Sequence, residues 1–326
     1  MKGGAPLTVL MFHGLVKEMP AHVVFPPSRT CLIRESDFEA CVQWCARTHR
    51  IVSLADVDRY RRGEATEPGI LITFDDGLAS VTDLAVPILS RHGATAVLFV
   101  TTGWVDGGRT PAIFRLERDL WERPPQRLTL KAGGRDLSLP VGTPAAARAA
   151  ISAVWDWCFA QRLAPVQLQH EQVLFDGRPW QPDPADEDRH FWFPATWAEL
   201  AAGASAGVLE IGAHGATHTP WSWLSAADRR RELGEVRERL EGEFGAEVRA
   251  CSYPHGMMDE AARAGAAEYY SWAFTSLPAA VHGGASAHAL PRFNVPGERP
   301  LWMRGVVQWP LAGRVVRKGA SFLGLN

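Results

Sequence analysis

The sequence predicts an α/β fold: a parallel sheet curled into a barrel, with an inserted α+β segment beside its mouth. Three observations carry that prediction. Apolar strand-like runs alternate with helical runs, the order that builds parallel sheets with helices outside. His13, Asp75, Asp76, His214 and His255 each fall just after the end of a predicted strand. In a β/α barrel those strand ends converge on one face, where active sites are built. Finally, the rhythm breaks over residues 103–195, which are rich in Pro, Arg and Trp.

The elements follow in order. Leu7 to Phe12 (LTVLMF) reads as a buried strand ending at His13-Gly14. Ser36-Asp-Phe-Glu39 has the form of a capping box, so a helix is expected from there to about His49. Ile70 to Phe74 (ILITF) is a second buried strand, closed by Asp75-Asp76-Gly77. Ala79 to His92 reads as a helix stopped by Gly93, and Ala94 to Val100 as a strand. Thr196-Trp-Ala-Glu199 is a second capping box, and Val208 to Gly212 a strand leading to His214. Ser225 starts a long helix to about Phe244, with Gly245 just past its end. Arg231–Glu235 and Glu235–Arg239 spacings mark that helix as a solvated outer face. Val248 to Tyr253 is a strand running into Pro254-His255-Gly256. A short helix near 258–267 and strands at 271–276 and 290–295 complete the barrel.

Inside the break, Leu128–Leu130 and Leu137–Leu139 around Gly133-Gly134 predict a β-hairpin. Pro144 to Leu163 predicts a helix with Thr143 as N-cap. Long ordered insertions often serve as lids. Residues 103–195 are therefore read as a cap between barrel segments 1–102 and 196–296.

Composition bounds the function. The chain has 326 residues, 46% hydrophobic and 21% charged, which supports a large core and excludes wholesale disorder. A net charge of −2 gives no broad electrostatic case for nucleic acid. The five cysteines are odd in number and sparse, against a secreted disulfide framework. Cys41 and Cys45, four apart on a helix, lack a second pair and are read as small buried thiols. The first apolar run is too short for a signal-peptide core, and no run approaches the roughly 20 residues of a spanning helix. A cytoplasmic protein is expected. The tail, 297–326, carries Arg299, Arg304, Arg314, Arg317 and Lys318 among Trp302 and Trp309. It either packs on the barrel or makes a peripheral contact with an anionic membrane surface.

The chemistry begins at Asp75-Asp76. Adjacent carboxylates stay ionised in a folded site only beside a cation, or else share a proton. His214-Gly-Ala-Thr-His218 offers two imidazoles four residues apart. Zinc hydrolases use three protein ligands and leave one position open. Asp76, His214 and His218 supply such a set. Asp75 is then left to act as general base, or as a further ligand. Trp221 and Trp223 follow closely; with 13 tryptophans in the chain, core packing is favoured over a sugar-stacking role.

TFDDG, HGATH and SYPHG together resemble three motifs of the polysaccharide deacetylases, the NodB-homology or carbohydrate esterase family 4 group. The resemblance covers roughly residues 7–102 and 196–296. It implies a distorted (β/α)7-type barrel, one divalent metal, usually Zn²⁺ with Co²⁺, Ni²⁺ or Fe²⁺ as substitutes, and removal of acetyl groups from sugars. By it, Asp75 is the base and Asp76, His214 and His218 are the ligands. The family's C-terminal Leu-x-His-Asp motif is missing. Met11-Phe12-His13-Gly14 instead resembles the rearranged branch whose early histidine is the general acid, which gives that role to His13. The family's motif-three arginine is also missing, for Ala250-Cys251-Ser252 stands there. Arg292 is the candidate to orient Asp75; binding substrate and closing a structural ion pair remain its other two readings. His255 replaces an aromatic residue whose backbone N–H helps hold the oxyanion, so it is assigned to oxyanion or substrate contact. The expected activity is hydrolysis of the N-acetyl group of an amino sugar, in a glycan, a glycolipid precursor or a glycosylated metabolite. The rivals are a metal-independent hydrolase of a non-sugar amide and a non-catalytic glycan- or partner-binding member.

Overall fold

The computed structural model describes residues 4–23, 26–183 and 188–297. The basic tail beyond Gly297 lies outside the described residues. No described helix is long and apolar enough to cross a membrane.

Strands β1 (Leu7–Phe12), β4 (Arg50–Ile51), β5 (Gly69–Phe74), β6 (Ala96–Val100), β11 (Leu209–Ala213), β12 (Ala250–Ser252), β13 (Trp272–Phe274) and β14 (Phe293–Asn294) form one parallel sheet. Its order is β13-β12-β11-β6-β5-β1-β14, with β4 as a side branch on β5. A parallel bridge from Phe274 to Leu290 links the two ends of the path, so the sheet curls into a distorted seven-stranded barrel. The short strands β2 (Gly14–Val16) and β3 (Leu32–Arg34) pair beside the mouth.

β1, β5 and β6 are buried along their whole length, which is why they read as continuous apolar runs. Successive side chains still point to opposite faces. Leu71, Val97 and Phe99 join Trp272 and Phe274 in a core inside the barrel. Ile72, Phe74, Leu98 and Val100 join Phe38 and Val42 of the helix Glu35–Thr48 in a second core outside it. Truncating Phe74 to Ala there would cost about 3–5 kcal/mol.

The inserted segment shares a third core with the chain before it: Leu116, Leu128, Leu130, Ile151 and Val154 pack with Val16, Leu32 and Leu78. It comprises helices 112–122 and 144–160 and an antiparallel sheet of β7 (Arg127–Ala132), β8 (Arg135–Pro140), β9 (Val173–Phe175) and β10 (Arg178–Pro179). The hairpin turns at Gly133-Gly134, both with positive φ, the conformation that a two-residue turn requires. Thr143 caps the helix 144–160, and Thr196 and Glu199 close their capping box.

Two expectations fail. Ser36 and Glu39 form no capping box, because β3 runs directly into the helix and both residues lie inside it. The N-cap is Arg34, without a side-chain cap bond. The second failure concerns the long helix after Ser225. It is interrupted by a π-helical turn at Arg231–Glu235, which shifts its register. The Arg231–Glu235 and Glu235–Arg239 pairs do not form; Arg231 pairs with Asp228 and Arg239 with Glu243 and Asp106.

Candidate metal-dependent active site

The strand ladder extends one step past its ends and so fixes the site backbone. Asp75 N–H donates to Phe12 O at 3.0 Å, and His214 N–H to Val100 O at 2.9 Å. Asp76 then turns into the left-handed region at φ 79°, followed by Gly77 at 82°. A Cβ on Gly77 would also press on Val100 at 3.2 Å. His218 and His255 have φ of 57° too, so three non-glycine residues at one mouth hold a conformation that is uncommon outside glycine.

Asp75 is locked from two sides. Arg292, 1% exposed, donates through Nη1 to Oδ1 at 2.7 Å and through Nη2 to Oδ2 at 2.8 Å. Ser252 Oγ adds a hydrogen bond to Oδ1 at 3.2 Å. Arg292 is itself aimed by Nε donating to Thr275 O at 2.9 Å and lies over the Phe99 ring. Burial disfavours the carboxylate, but the bidentate guanidinium outweighs it and holds Asp75 well below the usual carboxylate range. The bidentate contact with Asp75 fits both the base-orienting and the structural ion-pair readings of Arg292. Arg292 lies 217 residues from Asp75 in sequence.

The other carboxylate faces the histidines. His214 Nε2 lies 3.6 Å and His218 Nε2 3.2 Å from Asp76 Oδ1. Neither contact has hydrogen-bond geometry, and Oδ1 is buried without a partner. Ligand atoms from Asp76, His214 and His218 all lie within 4.8 Å of one another. Bonds of roughly 2.0–2.2 Å to a tetrahedral ion put neighbouring ligand atoms roughly 3.3–3.5 Å apart, and the two observed separations bracket that spacing. His214 Nδ1 is occupied by Ser252, at 2.9 Å from its carbonyl and 2.6 Å from its hydroxyl. This leaves Nε2 for a metal, the usual way a ligand's far nitrogen is held. Burial lowers the His214 pKa to about 4, so the ring is neutral and able to ligate. The residues present fit a divalent ion.

Two positioning residues were not legible beforehand. Ser252 is one, bridging the Asp75 and His214 sides. Glu232 is the other. It is 6% exposed and sits in the π-helical turn of the helix read as wholly solvated. Its carboxylate accepts from Ala216 N–H at 2.7 Å, from Thr217 N–H at 3.2 Å and from Thr217 Oγ1 at 2.7 Å. It thereby clamps the loop between the two histidines. A Cβ on Gly215 would come within 2.5 Å of Glu232 Oε2 and displace the clamp, and the φ of 79° there also favours glycine.

His13 follows β1, and its Nδ1 is buried without a hydrogen-bond partner. Burial favours its neutral ring, but Cys31, Asp76 and Asp75 outweigh this and raise its pKa to about 10. Trp192, stacked on Phe114 at 3.9 Å, borders His13 at 6.4 Å. Trp104 borders His218 at 5.2 Å. His255 does not join the ligand cluster; its ring stands 4.4 Å from that of His218, with Nε2 buried and unpartnered. Trp221 is fully buried as expected, against Tyr253, whereas Trp223 is half-exposed. Cys41, Cys45, Cys158 and Cys251 are buried free thiols; Cys31 is half-buried.

The family model described as polysaccharide deacetylase matches residues 62–126 and 183–270, leaving out most of the insertion. The fold is similar to the Streptococcus pyogenes deacetylase PplD, solved with acetate. That likeness has a TM-score of 0.59 at 14% identity and covers 92% of this chain and 98% of that one. It is also similar to IcaB from Ammonifex degensii, with a TM-score of 0.58 at 16% identity over 94% and 98% of the two chains. A polysaccharide deacetylase from Bacillus cereus gives 0.56 at 14% identity over 92% of this chain and 68% of that one. The chain spans 64% of the length of a related Bacillus anthracis structure. No curated protein matches the chain in sequence.

Proposed function

Because this chain belongs to the polysaccharide deacetylase family, we propose that it is a metal-dependent hydrolase of the N-acetyl group of an amino sugar. The observation that carries the reading is a buried, fully bonded Asp75 beside the Asp76–His214–His218 cluster. A divalent ion held by those three residues would polarise the acetyl carbonyl and acidify a water.

The chain's own groups divide the proton work. Asp75 takes a proton from the attacking water. Its basicity is depressed by Arg292, so it suits an acidified water rather than a bulk one. As the water oxygen bonds to the carbonyl carbon and the C–N bond breaks, His13 gives its proton to the departing nitrogen. The carboxylates of Asp75 and Asp76 beside it favour its protonated ring. The products are acetate and a free amine. A base, an acid and a ligand set together argue against a non-catalytic binder, which needs none of them.

The test is acetate release from N-acetylglucosamine oligomers by zinc-loaded protein. Asp75→Asn is expected to lower turnover by about 10²–10⁴-fold while metal content stays at the native level. Normal turnover by that variant would remove Asp75 from the reaction.

A further inference from the structure

We infer that Phe159 and Trp223 form a carbohydrate subsite at the mouth of the metal centre, holding the sugar ring that adjoins the N-acetylated one. This rests on the proposed function and names what the insertion adds to it.

Helix 144–160 buries Ala147, Ala150, Ile151, Val154 and Cys158 in the third core. Phe159 falls outside that stripe and is half-exposed. Trp223, in the turn just after the metal loop, is half-exposed too. Among the described residues neither belongs to any of the three hydrophobic cores. Phe159 stacks on Trp155, at 6.2 Å between ring centroids, and the fold brings Phe159 and Trp223 together. Their ring centroids are 5.3 Å apart at 78°.

The pair is tied to the reaction centre through one ring. Phe159 meets His255 at 5.1 Å, and His255 meets the ligand His218 at 4.4 Å. His255 Nε2 is buried there with no partner. Small-molecule sites combine aromatic walls with a few convergent polar groups. A sugar ring matches both, laying its C–H face on an aromatic ring and offering a hydroxyl to the imidazole. An acyl chain would need a longer apolar track, and Leu277 is the one exposed large hydrophobic residue among those described.

The experiment is calorimetric titration of the zinc-loaded protein with N-acetylglucosamine and with its β-1,4- and β-1,6-linked dimers. Acetate release is measured in parallel. The native protein is expected to bind at least one dimer roughly tenfold tighter than the monomer, the effect of one well-stacked ring. Phe159→Ala and Trp223→Ala should each erase most of that ratio and leave monomer binding unchanged. Phe159→Tyr should restore it. A native protein that binds monomer and dimers alike, or variants that keep the ratio, would overturn the subsite. A variant that loses monomer and dimer binding equally would show a merely structural role, with the same consequence. Tight dimer binding without any acetate release would overturn the deacetylase reading and leave the subsite standing.

Discussion

Asp75 and Asp76 are neighbours in the chain and equally buried, at 3% and 2% exposure, yet their surroundings are opposite. On the Asp75 side both oxygens are bonded, by a guanidinium that is itself aimed by a backbone carbonyl. On the Asp76 side Oδ1 is an orphan, and two imidazole nitrogens stand near it without hydrogen bonds. Buried polar groups are ordinarily satisfied. The first carboxylate has its bonds within the chain; the second lies with His214 and His218 in a cluster that could hold a metal ion. The difference separates a carboxylate held by an arginine from one that faces two imidazoles, although the two residues share one turn.

That contrast can be broken from either side. Arg292→Ala should have the largest effect on stability, about 3–5 kcal/mol in chemical denaturation, because it strands a buried carboxylate. A loss under 1 kcal/mol would show that Asp75 does not depend on its partner. Glu232→Gln should have an intermediate effect. It keeps the shape but weakens the clamp on Ala216 and Thr217. Metal affinity, read by competition with a chromophoric chelator, should fall by about 10–100-fold with the fold intact. Unchanged affinity would make the clamp irrelevant to the ligands. The third test, whose effect is nil at neutral pH and grows only in acid, is the pH dependence of the metal-free protein. His214 is held near 4, below its ordinary value, so the unfolded chain binds its proton first. Stability from this group is full above about pH 6.5 and is lost as pH falls toward 4. His214→Ala should flatten the melting temperature in that window; an unaltered slope would contradict the assignment.

Legibility in the sequence followed the same division. Buried parallel strands are continuous apolar runs, so β1, β5 and β6 and the polar residues at their ends could be read directly. The hairpin around Gly133-Gly134 announced itself by its turn chemistry. What stayed hidden depended on register or distance. Ser36 has the spacing of a cap, but β3 leaves no room for a loop before the helix. Glu232 sits in a charged helical pattern that mimics a solvated face, and the π-helical turn that swings it inward has no spacing rule. The signal available was its position beside the buried stripe of Leu233, Val236 and Leu240. Arg292 carries three readings in the sequence, since its partner lies more than 200 residues away. Trp223 carries the same sequence signal as Trp221, and only burial separates the two.

The most direct test of the central claim is elemental analysis of the native protein beside His214→Ala and His218→Ala, prepared identically and checked for fold. The account predicts about one equivalent of divalent metal in the native protein, lost in both variants. A native protein that takes up no metal when zinc is supplied, or variants that retain it, would contradict the account.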